Sequence, residues 1–250
     1  MSKNFELIQR AAKEDLLTPS SQPGALEGAI PAQYLASSAT GDVTRVEIDK
    51  LVQRLFLQGG ELSGPKVVSF SGAAEDNRSS WICARAGESL ASQVDASVCV
   101  VDTNVASLLP HTNFVSSNRT ELVVEPVTDN SVQSIATPLS RGNLWLMPMP
   151  FGLAKGDIYR HASQCRALFA DLRDRFNYIL ISGPPLTRET EAILIGRLAD
   201  GIVLIVEANQ TRRRSVREAK ERLRSAEIDL LGAVLDQRTF PIPNSLYQKL

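Results

Sequence analysis

The run Gly72-Ala-Ala-Glu-Asp-Asn-Arg-Ser79 follows the apolar segment Lys66–Ser71 and opens a helix-like stretch. Its spacing matches the phosphate-binding pattern G-x-x-x-x-G-K-[ST]. In that pattern, backbone N–H groups and a lysine ammonium wrap phosphates at a helix N-terminus. Gly72 and Ser79 stand at the pattern's first and last positions, while Asn77 replaces the second glycine and Arg78 the lysine. Arg78 keeps the positive charge but carries it on a planar fork larger than an ammonium. Asn77 tolerates left-handed backbone angles, so part of an anion-binding nest can persist. Glu75 and Asp76 put two carboxylates where phosphates would lie. Like charges about 4 Å apart repel by roughly 1–4 kcal/mol, depending on screening. Ser79 retains a hydroxyl able to ligate Mg²⁺, and Ser80 adds a second hydroxyl beside it. Plainer readings stand beside these. Gly72 could serve only as a strand-to-helix turn, Ser79 and Ser80 only as helix starters, Asp102 as a strand-end cap, and Arg78 as a solvated charge.

The elements that must hold this loop follow from hydrophobic periodicity. Strand-type runs are Val67–Ser71, Ser97–Asp102, Asn143–Met149, Tyr178–Ser182, Gly201–Glu207 and Leu230–Leu235. Helical segments are expected at 43–57, 79–93, 157–175, 188–199 and 211–226. Alternating near-continuous apolar strands with amphipathic helices predicts an α/β fold with a mostly parallel sheet and helices on both faces. Ligands in such folds bind at the carboxyl ends of the strands. Residues 1–15 read as an amphipathic helix with Phe5, Ile8 and Ala12 on one face. The Ser/Pro/Gly-rich residues 16–42 read as a linker, and 43–250 as the α/β domain. Residues 103–142 show no clear period.

Composition narrows the function. The chain has 250 residues, 43% hydrophobic and 22% charged, with a net charge of −1, which gives no reason to expect nucleic-acid binding. Cys83, Cys99 and Cys165 lie in or beside apolar runs without C-x-x-C spacing and read as reduced core thiols of a cytosolic protein. His111 and His161 are far apart, which argues against a histidine-based metal site. No run is long and apolar enough to predict a membrane span or a secretory leader. The segment Arg212–Arg224 is locally basic, with Val216, Ala219 and Leu223 expected to face the sheet. A solvated helix face is its default reading, and docking on a membrane surface or a partner is the alternative.

Four segments together resemble the cytoplasmic bacterial tyrosine kinases of capsule and exopolysaccharide synthesis, within the P-loop group that also holds ParA- and MinD-like ATPases. They are the loop Ser71–Ser79, the stretch Cys99–His111, Phe176-Asn-Tyr-Ile-Leu-Ile-Ser-Gly-Pro-Pro185, and Ala199–Ala208 followed by Thr211-Arg-Arg-Arg214. The resemblance implies a P-loop NTPase-like domain over roughly residues 44–250. On this pattern Asp102 matches the first aspartate of a D-x-D pair, Asn104 replaces the second, and Ala106 stands at an arginine position. Ser182 replaces the Walker B-type aspartate. Asp76 matches a glutamate and Glu75 stands at a glycine position. The implied nucleotide site is Gly72, Asn77, Arg78, Ser79 and Ser80, and the implied Mg²⁺ ligands are Ser79 and Asp102.

Phosphoryl transfer relies on positioning and charge stabilisation by lysine, Mg²⁺ and carboxylates. With that lysine and two of three acidic positions changed, the expectation is a degenerate, pseudokinase-like protein. It would bind ATP or ADP with Mg²⁺ weakly or not at all, and would regulate or scaffold exopolysaccharide synthesis and export. Two alternatives are an active ATP-dependent protein tyrosine kinase with a divergent loop, and a ParA/MinD-like positioning ATPase. The resemblance further implies a membrane-embedded polysaccharide copolymerase as partner, homo-oligomerisation, and a cytoplasmic location at the membrane through that partner. Glu47, Lys50 and Gln53 occupy the positions of the family's E-x-x-R-x-x-R assembly motif. Tyr247 is the one tyrosine near the end of the chain, where the family carries an acceptor cluster.

Overall fold

A computed structural model describes residues 38–59, 63–74, 78–103, 136–139, 142–149, 161–186 and 191–237. The expected helix at 1–15, most of the 16–42 linker, the loop residues Glu75, Asp76 and Asn77, Asn104, Ala106, His111 and Tyr247 lie outside these residues.

In chain order the elements are α1 (Ser38–Val52), continued by a π-helical turn over Gln53–Leu57, then β1 (Val67–Gly72), α2 (Ser79–Gln93) and β2 (Val98–Asp102). They continue with β3 (Thr137–Pro138), β4 (Leu144–Pro148), α3 (Ala162–Arg175), β5 (Tyr178–Ser182) and α4 (Glu191–Leu198). The last are β6 (Gly201–Glu207), α5 (Arg213–Ser225) and β7 (Leu230–Asp236). Among the described residues seven strands form one sheet in the order β3-β4-β2-β5-β1-β6-β7. Every pairing is parallel except β3 with β4. The expected α/β architecture is therefore the observed one.

Burial explains why these runs become strands. All six residues of β1, Val-Val-Ser-Phe-Ser-Gly, are buried, and so are all five of β2 and all five of β5. A strand covered on both faces must be apolar throughout, which is why no alternation is visible in these segments. On one face, Val68, Phe70, Val100 and Leu180 pack with Ile48, Val52 and Phe56 of the first helical stretch and with Ile82, Ala86 and Leu90 of α2. On the other, Val67, Val101, Ile179 and Ile181 meet Cys165, Leu168, Phe169 and Leu172 of α3. Further along that face, Ile202 and Leu204 of β6 meet Ala219 and Leu223 of α5. The expected sheet-facing residues of α5 are the buried ones, with Val216 partly buried beside them.

Two expectations shift. The first helix starts at Ser38 rather than 43, inside the segment read as linker. Gly41 and the neighbouring Ser and Thr lower helix propensity, but the later turns dock firmly on α2 and nucleation there extends backward. The short antiparallel strand β3 falls in the stretch without period, because two residues, one of them an edge proline, are too few to generate a pattern. The three cysteines are buried free thiols. Burial pushes the Cys165 thiol up to about 11 and raises Cys99 further still. No described helix is long and apolar enough to cross a membrane.

At the amino-terminal edge of the sheet, Asp200 ties three elements together. Its Oδ2 accepts from the backbone N–H groups of Lys66 (2.7 Å) and Val67 (2.8 Å), and its Oδ1 accepts from Arg173 Nη2 at 2.6 Å. Burial alone would raise its pKa. The Arg173 hydrogen bond, the Val67 amide, the Arg173 charge and the Lys66 amide outweigh that and hold the carboxyl below the usual 3.8. A carboxylate with a depressed folded pKa stabilises above its unfolded value and loses that contribution as pH falls through the folded one. Asp200→Ala is expected to destabilise the fold by about 2 kcal/mol in urea unfolding at neutral pH. The difference from wild type should shrink as the pH is lowered below 3.8.

Candidate functional site

Three segments distant in sequence meet at the carboxyl edge of the sheet. The strand order β2-β5-β1 sets their ends side by side. Asp102 pairs in register with Ser182, and Ser182 with Phe70, two residues before the end of β1. Gly72 is the last residue of β1, paired with Ile205 of β6, and its carbonyl accepts from the Leu186 N–H at 2.9 Å. Its φ is not positive, so it extends the strand and does not make the turn that the plainer reading gave it. The loop then enters α2 at Ser79, whose side chain is buried.

Ser79 and Ser80 are the first two residues of α2, where the helix-starter reading put them, and Ser80 makes a further contact. Arg78 occupies the cap position of α2 and makes no side-chain cap hydrogen bond. Ser80 Oγ lies 2.7 Å from Ser182 Oγ, so the second helical residue reaches across to the end of β5. Ser182 stands at the Walker B-type position as a hydroxyl whose hydrogen bond joins it to the loop side of the site. Its carbonyl accepts from the Thr103 hydroxyl at 2.5 Å and from the Thr103 N–H at 3.3 Å, which fastens the chain just after β2. Thr103 has no chemical signature in the sequence and was not among the expected residues. Asp102 is 4% exposed. Burial chiefly, and then the Asp102 charge, push the thiol of Cys83 on α2 up, which places this carboxylate against the helix that follows the loop. The turn after β5 approaches closely as well. The Gly183 N–H donates to the Phe70 carbonyl at 2.9 Å, and a Cβ on Gly183 would lie 2.6 Å from Ser69 Oγ. A side chain there would displace the Ser69 and Ser71 hydroxyls, and Pro184 and Pro185 stiffen the chain beyond it.

Arg78 is neither a solvated charge nor an open phosphate clamp. Its Nε donates to Asp236 Oδ2 at 2.8 Å, and its guanidinium carbon sits 4.5 Å from the Trp81 ring centroid. Asp236 ends β7, at the far side of β6, and its side chain is 15% exposed against 36% for Arg78. Neither Asp236 nor Trp81 was legible as a partner. An acidic residue closing an apolar run is common, and 158 positions separate Asp236 from Arg78. The cation at the signature-lysine position is thus matched to a carboxylate of the protein itself.

These residues can be tested against a magnesium nucleotide. Among the described residues no three His, Cys, Asp or Glu side chains gather to hold a metal. The site offers one buried carboxylate, three hydroxyls from Ser79, Ser80 and Ser182, and a guanidinium already paired. A triphosphate with Mg²⁺ needs uncompensated positive charge at the loop and carboxylates opposite it. On charge, the described set does not fit that group.

No family model matches the chain. In sequence it is 32% identical over 66 residues to the tyrosine-protein kinase CpsD of Streptococcus agalactiae, a match over 26% of this chain and 29% of that protein. It is 22% identical over 142 residues to the tyrosine-protein kinase YwqD of Bacillus subtilis, over 56% of this chain and 59% of that one. The chain thus spans less than two thirds of either relative. In structure it resembles the kinase domain of the Escherichia coli tyrosine kinase ETK, with a TM-score of 0.65 and 17% identity over 92% of this chain and 89% of the other. The VpsO kinase domain gives 0.63 and 17% over 81% and 100%. The MinD cell division protein of Aquifex aeolicus follows at 0.51 and 15% over 74% and 72%. At these identities the structural likeness is one of fold, and the fold is that of the P-loop NTPases.

The Arg78–Asp236 pair is expected to couple. A double-mutant cycle with Arg78→Met and Asp236→Asn, read by urea unfolding, should give an interaction energy of about 1 kcal/mol. Independent effects would mean that the pair does not hold the helix start to β7.

Proposed function

We propose that this relative of the bacterial tyrosine-protein kinases, built on their P-loop NTPase fold, is a non-catalytic or weakly nucleotide-binding regulator or scaffold. Its setting would be the synthesis and export of a capsular or exopolysaccharide polymer, where it docks on a membrane-embedded copolymerase. The setting and partner rest on the family resemblance. The loss of chemistry rests on one observation, the capture of Arg78 by Asp236.

The physical case is one of charge. To serve a γ-phosphate, a cation must be free to turn toward it as negative charge redistributes. A guanidinium held through Nε by a carboxylate on another strand must either break that pair or bring its counter-charge along. At the opposite wall, Ser182 and Ser80 are bonded to each other and add no charge. Asp102 is the feature that favours the competing reading of an active kinase with a divergent loop, since it is a carboxylate retained at the strand end beside Ser182.

Isothermal titration with ATP and ADP, with and without Mg²⁺, separates the two. The regulator reading expects no heat, or at most weak binding at millimolar ligand with little change in melting temperature, and no tyrosine phosphorylation. Mg²⁺-dependent binding at micromolar affinity, followed by ATP-dependent tyrosine phosphorylation lost in Ser79→Ala and Asp102→Asn, would establish the kinase instead.

A further inference from the structure

Helix α5 carries a charge pattern that the nucleotide site does not use. Residues 212–224 hold seven basic side chains against two glutamates, in a chain whose net charge is −1. At about 100° per residue, Arg213, Arg217, Lys220 and Arg224 fall within an arc of about 60°. All four are exposed. Arg224 pairs with Glu221 at 3.2 Å, whereas Arg213, Arg217 and Lys220 have no carboxylate partner among the described residues.

The direction of this stripe is set by two anchors. Ala219 and Leu223 are buried against β6. Arg222, about 90° round the helix from them, donates from Nη1 to the Leu186 carbonyl at 3.1 Å, and the Leu186 N–H is bonded to Gly72 at the end of β1. The Arg222 flank therefore faces β1. The basic stripe, on the other side of the buried face, overlooks β7, the edge strand.

That edge is apolar where it meets the stripe. Leu204 pairs with Ala233 and Val206 with Leu235, so Ala233 and Leu235 point to the α5 side. Leu235 is 52% exposed. As the crossover helix between parallel strands, α5 runs antiparallel to β7, which sets Arg213 and Arg217 beside Leu235. The exposed Glu227 and Asp229 lie at the opposite end of α5.

We propose that this flank docks on an anionic lipid surface. The guanidinium and ammonium groups would sit at headgroup phosphates, with Leu235 at the acyl boundary. Each cation near such a surface adds roughly 1 kcal/mol of attraction, and the long basic stems suit an interface that is apolar below and charged above. Exposed leucines have no use against a duplex backbone, and neither α5 nor β7 offers an aromatic platform for single strands.

Flotation of the full chain with phosphatidylcholine vesicles, with and without phosphatidylglycerol, tests this. Binding is expected only with phosphatidylglycerol and should weaken as salt rises. Arg213→Glu/Arg217→Glu/Lys220→Glu should lower partitioning about 100-fold, and Leu235→Ser about threefold or more. Circular dichroism should show both variants folded, since all four sites are on the surface. Absence of phosphatidylglycerol-dependent binding, or binding that both variants keep, overturns the proposal. So does a DNA duplex that displaces the vesicles and binds the Leu235→Ser variant undiminished, which would assign the stripe to nucleic acid. Self-association abolished by the same substitutions, without vesicle binding, would assign it to a second copy.

Discussion

The carboxyl edge of this protein is organised by one buried strand. β1 lies between β5 and β6 in a parallel ladder, with all six of its residues out of solvent. Its neighbours are held in register by the same hydrogen bonds that satisfy its own backbone, since a buried amide left unpaired is costly. That register decides which residues become neighbours beyond the strand ends. It brings Ser182 level with Phe70 and Asp102, and it starts α2 where Ser80 can reach Ser182. The serines within β1 belong to the same device. Ser69 and Ser71 share a buried contact of 3.2 Å on the side where Gly183 passes.

On that frame, the charges of the site are arranged differently from those of a phosphate clamp. A P-loop works because its cation and amides are pre-set toward an anion that is not yet there. Here the cation at the lysine position already has an anion, supplied by the last residue of β7, and it rests on an indole face that adds a cation–π contact. Across the site, Ser80 and Ser182 are joined hydroxyl to hydroxyl. Each replacement satisfies the group it introduces, through the Arg78–Asp236 ion pair or the Ser80–Ser182 hydrogen bond. The site is consistent as a folded structure, with its polar groups turned toward one another. Away from the site, α5 presents a separate charged surface over β6.

The elements themselves were legible in the sequence because burial and periodicity are local signals. The run Tyr178–Ser182 reads as a buried strand, and the helix at 79–93 was expected with the bounds observed. The candidate residues Gly72, Arg78, Ser79 and Ser80 came from motif spacing, Asp102 and Ser182 from the family resemblance, and the sheet order brings the strand ends that carry them to one edge. The N-terminal helix, most of the linker and Asn77 lie outside the described residues. What local pattern could not supply were pairings across long separations. Nothing around Asp236 marks it as the counter-charge of a residue 158 positions earlier, and nothing around Thr103 marks it as the clamp on the Ser182 carbonyl.

By itself, then, the sequence determined which segments are apolar enough to be strands, which faces of the helices are buried, and which charged groups a phosphate site would lack. Those follow from the free energy of removing apolar side chains from water and from the chemistry of each side chain, and neither needs a partner to be known. Tertiary structure alone decided where the remaining charges point. The guanidinium of Arg78 could have faced solvent, a ligand or a carboxylate. Electrostatic pairing depends on distance and local screening, and the distance between two groups far apart in the chain exists only once the sheet has formed. The direction of the α5 stripe has the same origin. Helical period sets the stripe, but the burial of Ala219 and Leu223 on β6 and the Arg222 bond to Leu186 orient it toward β7.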